Sequence, residues 1–210
     1  MVRSITMLFT LLTISISSAQ KSIAPIKIGE QTWSQENAAV TNYGNGEAIP
    51  FASNKEEWQT FKNNGEPAYC YYKFDKANEG LGLFYNHWAV SSPKELAPKG
   101  WRVATVEDWE TLIINVGKEK SGQVLRTISG WQDDGTEYGS NNSVKFNGKP
   151  NGMVGGTGDC FGLNQYARFW AFDSSNKWSG YRFNLDYFDP ECTKGNASKG
   201  EGLSVQFIKE

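Results

Sequence analysis

Residues 105–117 (TVEDWETLIINVG) constrain the fold most, because one short run carries a start signal, an apolar face and a stop. Thr105 is a good N-cap, Asp108 three residues on completes a capping-box arrangement, and Glu107 complements the helix dipole. Val106, Trp109, Leu112, Ile113 and Val116 then recur at helical spacing, and Gly117 ends the run. A helix with one apolar stripe has to lie against something, and core packing is the simplest use of this one. A second, shorter helix is expected over residues 55–62 (KEEWQTFK). Ser53 or Asn54 caps it, Trp58 and Phe61 share a face, and Asn63-Asn64-Gly65 stops it.

Around these helices the chain reads as strands and loops. Residues 26–40 begin with period-2 alternation and a Gly-Glu turn, which predicts an opening strand or hairpin. Residues 67–74 (PAYCYYKF) read as a strand. After Gly130 the character changes. Residues 131–158 are dominated by Gly, Asn, Asp and Ser with few aliphatics, so long loops broken by short strands are expected there. Strand signals return at residues 168–172 (RFWAF), 180–187 (GYRFNLDY) and 203–209 (LSVQFIK), with a short hairpin turn over 173–177. The expected class is α+β, with two helices, small antiparallel sheets and long loops in the second half. The 22 Gly and 8 Trp suit such a fold, in which Gly fills positive-φ turns and large rings do the burying.

The first residues point to export. Arg3 is the one early charge, residues 5–16 (ITMLFTLLTISI) have the length of a secretory apolar region, and Ser17-Ser18-Ala19 precede Gln20. Cleavage between Ala19 and Gln20 is expected, which makes residues 1–19 a signal peptide. The run is too short to span a bilayer, and no later segment approaches that length, so no membrane span is expected in the mature chain. Gln20, where a lipoprotein has Cys, argues against a lipid anchor. Removing 19 of 210 residues leaves 191, which favours one domain over residues 20–210. The expected location is secreted, periplasmic or associated with the cell surface. With Arg3 gone, 20 basic residues face 23 acidic ones and no basic cluster appears, so nucleic acid is not an expected partner.

Three cysteines remain, Cys70, Cys160 and Cys192, and an oxidising compartment favours pairing two of them. In a hairpin centred near Ser175, Cys160 and Cys192 lie fifteen residues before and seventeen after the turn, which sets them nearly opposite one another. A Cys160–Cys192 bridge is therefore expected, with Cys70 unpaired. No CxxC motif or His/Cys cluster supports a metal site.

Several ordered motifs carry a family resemblance: residues 26–37 (IKIGEQTWSQEN), 67–72 (PAYCYY), 80–90 (GLGLFYNHWAV), 96–112 (LAPKGWRVATVEDWETL), 122–131 (GQVLRTISGW) and 202–209 (GLSVQFIK). In this order and spacing they resemble the Fibrobacter succinogenes major paralogous domain, a family of exported bacterial domains. The run GWRVATVEDWETL also looks like the helix-entry segment of sulfatase-modifying and other C-type lectin-like domains, and the resemblance implies that fold. The chain departs from the family at Ala104, where Pro is usual, and in residues 144–156 (VKFNGKPNGMVGG). It departs again at Phe169-Trp170, where paired Trp is usual, and at Gln206-Phe207, where the family has Cys.

Catalytic signatures are sparse. His87, the single histidine, sits among rings in residues 84–88 (FYNHW), with no nucleophile-elbow sequence beside it. The cysteines are too far apart in sequence to resemble the close pair of formylglycine-generating enzymes. Asp133, Asp134, Asp159, Asp186, Asp189 and Glu191 occupy loops and strand ends, where a paired-carboxylate hydrolase would draw its acids, but solvated loop charge is their ordinary role. No nucleotide fingerprint is present. Residues 131–143 (WQDDGTEYGSNNS) offer oxygen donors to calcium, yet lack the ordered alternation of a calcium loop, and Asp and Asn are also turn residues. No other cofactor is expected.

The expected function is accordingly an exported, non-catalytic binding module for carbohydrate or another surface protein. Trp131, Tyr138, Trp178 and Tyr181 are its candidate ligand face, since rings stack on sugars. An extracellular hydrolase and a structural surface protein are the alternatives.

Overall fold

The computed structural model describes residues 23–133, 135, 139–175 and 179–210. The export segment with Ala19 and Gln20, and Asp134, Tyr138 and Trp178, lie outside them. The chain enters as the expected hairpin. Strands β1 (Pro25–Ile28) and β2 (Gln31–Ser34) are joined through Gly29 at a φ of 59°, a conformation that favours glycine. Helix α1 (Lys55–Asn64) follows. The Asn54 side chain accepts from the Glu57 N–H at its start, and Gly65 closes it in the left-handed conformation.

The strand expected over residues 67–74 is cut short. Only β3 (Tyr69–Cys70) forms, paired with β4 (Phe84–Tyr85). Beyond Cys70 the chain coils into 3-10 turns at Tyr72–Phe74 and Lys76–Leu81, with Lys73 and Phe74 at φ 55° and 59°. This coil drops the Tyr72 ring into an apolar cluster with Trp58, Phe84 and Val154, a placement that strict alternation would not give. A short helix α2 (His87–Val90) and strand β5 (Trp101–Val103) lead to α3 (Val106–Val116) and the one-turn α4 (Ser121–Leu125). Among the described residues four α-helices stand where two were expected; α2 and α4 are too short to show a helical period.

Strands β6 (Asn151–Val154), β7 (Cys160–Leu163), β8 (Tyr166–Ala171), β9 (Gly180–Asp186) and β10 (Thr193–Ala197) build a five-stranded sheet in the order β10-β9-β8-β6-β7. It is antiparallel except where β6 meets β8. The last strand, β11 (Phe207–Lys209), returns between β2 and β5 and completes a four-stranded antiparallel sheet, β1-β2-β11-β5. The result is a mixed α and β protein with few helices and several antiparallel sheets.

Helix α3 forms as its sequence predicts. Thr105 and Asp108 make both bonds of the capping box, and Arg102 forms a bidentate pair with the Asp108 carboxylate. Its apolar stripe fills the largest core cluster. The fully buried Trp109 stacks on Phe183 of β9 at 5.1 Å and meets Trp33, Phe146 and Phe169 at 5.2–5.6 Å. A buried polar chain of Ser34, Asn37, Asn151, Ser204 and Gln206 ties β2 and β6 to the segment before β11. No helix among the described residues is long and apolar enough to cross a membrane.

The expected Cys160–Cys192 bridge is not formed; all three cysteines are free thiols. The β8–β9 register is the expected one, with Tyr166 opposite Asp186 and Ala167 opposite Leu185. The chain, however, leaves that ladder at Asn164, which adopts φ 67°, and the Gln165 N–H closes a tight turn onto the Gly162 carbonyl. Cys160 is thereby carried away on β7, opposite Val154. Cys192 is buried near α4, where its N–H donates to the Ser121 hydroxyl.

Candidate functional site

Period-2 alternation along β8 sends Ala167, Phe169 and Ala171 into the core and Tyr166, Arg168 and Trp170 to the opposite face. On β9 the cross-strand partners of these three are Asp186, Asn184 and Arg182. Thr193, Gly195 and Ala197 of β10 continue the same face. One end of it is closed: Trp170 is fully buried, its indole N–H donates to the Tyr85 carbonyl at 2.7 Å, and His87 packs edge-on against it at 5.4 Å. The remainder is a half-buried polar shelf of Tyr166, Arg168, Arg182, Asn184 and Thr193, with Asp186 buried at its end.

Two ion pairs frame this shelf. Arg168 donates to both oxygens of Asp186, at 2.6 and 3.2 Å, and lies 4.0 Å over the Tyr166 ring. Arg182 pairs with Glu201 at 3.1 Å. Between them Asn184 donates to the Thr193 hydroxyl at 3.3 Å. Two polar atoms on neighbouring same-face positions stay unsatisfied: Arg182 Nε, a donor, and Asn184 Oδ1, an acceptor. Leaving such atoms unpaired costs about 1–3 kcal/mol each. Burial pushes the Tyr166 phenol up, and Arg168 opposes that shift.

The expected ring face is not assembled. Trp131 is half-buried against the main core, where its indole N–H donates to Thr127 and Arg126 lies over its ring. Tyr181 points to the core side of β9 and carries Lys194 5.8 Å above its ring. These two rings and the polar shelf therefore lie on different surfaces, while Tyr138 and Trp178 fall outside the described residues.

The candidate acids also separate. Asp186 is held by Arg168. Asp159 pairs with Lys55 at 2.5 Å, which holds its carboxyl below the usual range. Asp133 and Asp189 accept the backbone N–H groups of Gly135 and Glu191, as turn residues do. Asn141 and Asn142, in the segment considered for calcium, likewise accept from the N–H groups of Ser143 and Asn147. Among the described residues, no three His, Cys, Asp or Glu side chains converge as a metal site would need.

His87 is 6% exposed, and burial with the nearby Lys199 charge lowers its pKa from 6.5 to about 4. It is a neutral core ring at pH 7. The shelf residues Tyr166, Arg168, Arg182 and Asn184 were missed by sequence reasoning. The signal was present, because polar and aromatic side chains occupy alternate positions of residues 166–170 and 182–186.

The fold is mixed α and β, and the outer face of its five-stranded sheet carries this polar shelf. The chain belongs to the Fibrobacter succinogenes major domain family, whose model matches residues 26–209. Comparison with curated proteins gave no match, and comparison with solved structures gave none.

Proposed function

We propose that this chain is an exported, non-catalytic binding module whose polar sheet face takes a polyhydroxylated ligand, carbohydrate of a cell surface or extracellular polymer. The observation that carries this reading is the half-buried row of polar side chains Arg168, Arg182, Asn184 and Thr193 on one sheet face, beside the Tyr166–Arg168 stack. Hydroxyl groups both donate and accept, so a polyhydroxylated ligand suits a face that offers guanidinium, amide and hydroxyl groups together, and the Tyr166 ring offers an apolar contact. Export rests on residues 1–19, and a C-type lectin-like arrangement on the resemblance of residues 100–112 to the helix-entry segment of such domains.

The test is a glycan array probed with the mature chain, with and without calcium, followed by titration of any hit. Asn184→Ala and Tyr166→Ala should each weaken a hit at least about tenfold, or about 1.4 kcal/mol, in chains that thermal melting shows to be folded at the assay temperature. Silence across the array, or a hit that ignores both substitutions, refutes the reading.

A further inference from the structure

The thiols that sequence spacing separates are brought together elsewhere in the fold. Cys70 of β3 is fully buried, Cys160 at the start of β7 is half-buried, and both belong to the apolar cluster of Trp58, Ala68, Tyr72, Phe84 and Val154. The Cys160 sulfur accepts the Lys73 N–H at 3.2 Å. Lys73 lies three residues beyond Cys70, after an extended Tyr71 and within the 3-10 turn Tyr72–Phe74, in which the Phe74 N–H reaches back to the Tyr71 carbonyl. The Cys160 sulfur therefore sits against the backbone three residues beyond Cys70, at the cluster that holds the Cys70 side chain. Cα separations of about 4.4–6.8 Å permit a disulfide. Burial raises the Cys70 pKa, and negative charge on Cys160 raises it further. Cys192 sits in a different cluster, and burial raises its pKa far from the reactive range.

We infer that Cys70 and Cys160 form the disulfide of this chain, linking β3 to the start of β7, while Cys192 stays a thiol. A low-molecular-weight disulfide such as oxidised glutathione is a sufficient oxidant. The Cys160 thiolate, the more exposed of the two, attacks one glutathione sulfur, forming a mixed disulfide and releasing one glutathione thiolate. The Cys70 thiol then gives up its proton, its sulfur attacks the Cys160 sulfur, and the second glutathione leaves as thiolate. Two electrons pass from the protein thiols to the glutathione disulfide, and the two protons end on the released glutathiones. Oxidation ties the floor of the α1 cluster to the five-stranded sheet and closes a long loop, which constrains the unfolded chain.

The test incubates the native full chain with oxidised glutathione, alkylates the remaining thiols and maps the peptides. The expected result is a Cys70 peptide linked to the Cys160 peptide, a mass lower by two hydrogens, and alkylation of Cys192 only after denaturation. The Cys192→Ser chain should form the same bridge, and Cys160→Ser, a change at a half-exposed position, should form none. A bridge that includes Cys192, glutathione retained on Cys160, or three free thiols after oxidation overturns the inference.

Discussion

Lowering the pH from 7 toward 5 should destabilise this protein through one side chain. His87 is the single histidine of the chain and is 6% exposed, packed edge-on to Trp170 with Lys199 nearby. Its pKa falls from 6.5 to about 4 on folding, so between those values the unfolded chain binds a proton that the folded chain refuses. A depressed histidine pKa gives stability that is full above 6.5, declines as pH falls toward about 4, and then levels off. At 1.36 kcal/mol per decade the whole shift is worth about 3 kcal/mol, of which about 2 kcal/mol is lost by about pH 5.

Carboxylates act in a lower window. Asp108 and Asp159 have pKa values below 3.8 when folded, so their contribution is lost only as pH falls through the carboxylate range. Urea denaturation at half-unit steps from about pH 7.5 to 5 reads the effect, with His87→Gln as the control that cannot titrate. The wild-type unfolding free energy should drop by about 2 kcal/mol across the window, and the variant, less stable throughout, should be flat. A wild-type profile flat to within about 0.5 kcal/mol, or the same slope in His87→Gln, refutes the buried neutral histidine.

Other perturbations test the packing. Trp109→Ala empties the centre of the main aromatic cluster and should cost about 3–5 kcal/mol, read by urea denaturation. Thr105→Ala removes one half of the α3 capping box and should cost about 1 kcal/mol in the same assay. Gly162 has a φ of 67°, and a Cβ there would fall inside the Tyr166 ring; Gly162→Ala should lose about 1–3 kcal/mol and, if Tyr166 contacts ligand, weaken the glycan hit as well. Arg168→Ala leaves the buried Asp186 unpaired and should cost about 3 kcal/mol, most of it recovered by adding Asp186→Asn, which removes the orphaned charge.

What could be read from the sequence was local. Helix α3 is specified by its own cap, stripe and stop, and the hairpin register of β8 and β9 follows from two alternating runs and a short turn. Strands β7 and β10 were not legible. Residues 193–197 (TKGNA) have no alternating apolar signal, because β10 is an edge strand held through its backbone pairing with β9. The turn over residues 162–165 (GLNQ) carries Gly162 and Asn164, both at φ 67°, but one glycine and one asparagine among strand-like neighbours did not announce that the chain would double back there and take Cys160 with it. The cysteine pairing failed for that reason, although the register on which it rested was right.

The ring face failed for a different reason. Loops poor in aliphatic residues leave a core short of ordinary filling, and large rings supply it. Trp33, Trp58, Trp109 and Trp170 are fully buried, and Trp131 and Tyr181 lean on the same core from its margin. Abundant aromatic residues therefore say how this chain builds its interior, not where it meets a ligand. In the function proposed above, recognition falls to planar polar groups fixed by ion pairs on the outer side of a sheet. Such a surface is already ordered before a ligand arrives, so binding loses little side-chain entropy, and affinity depends on geometric match to fixed groups rather than on the area of apolar contact.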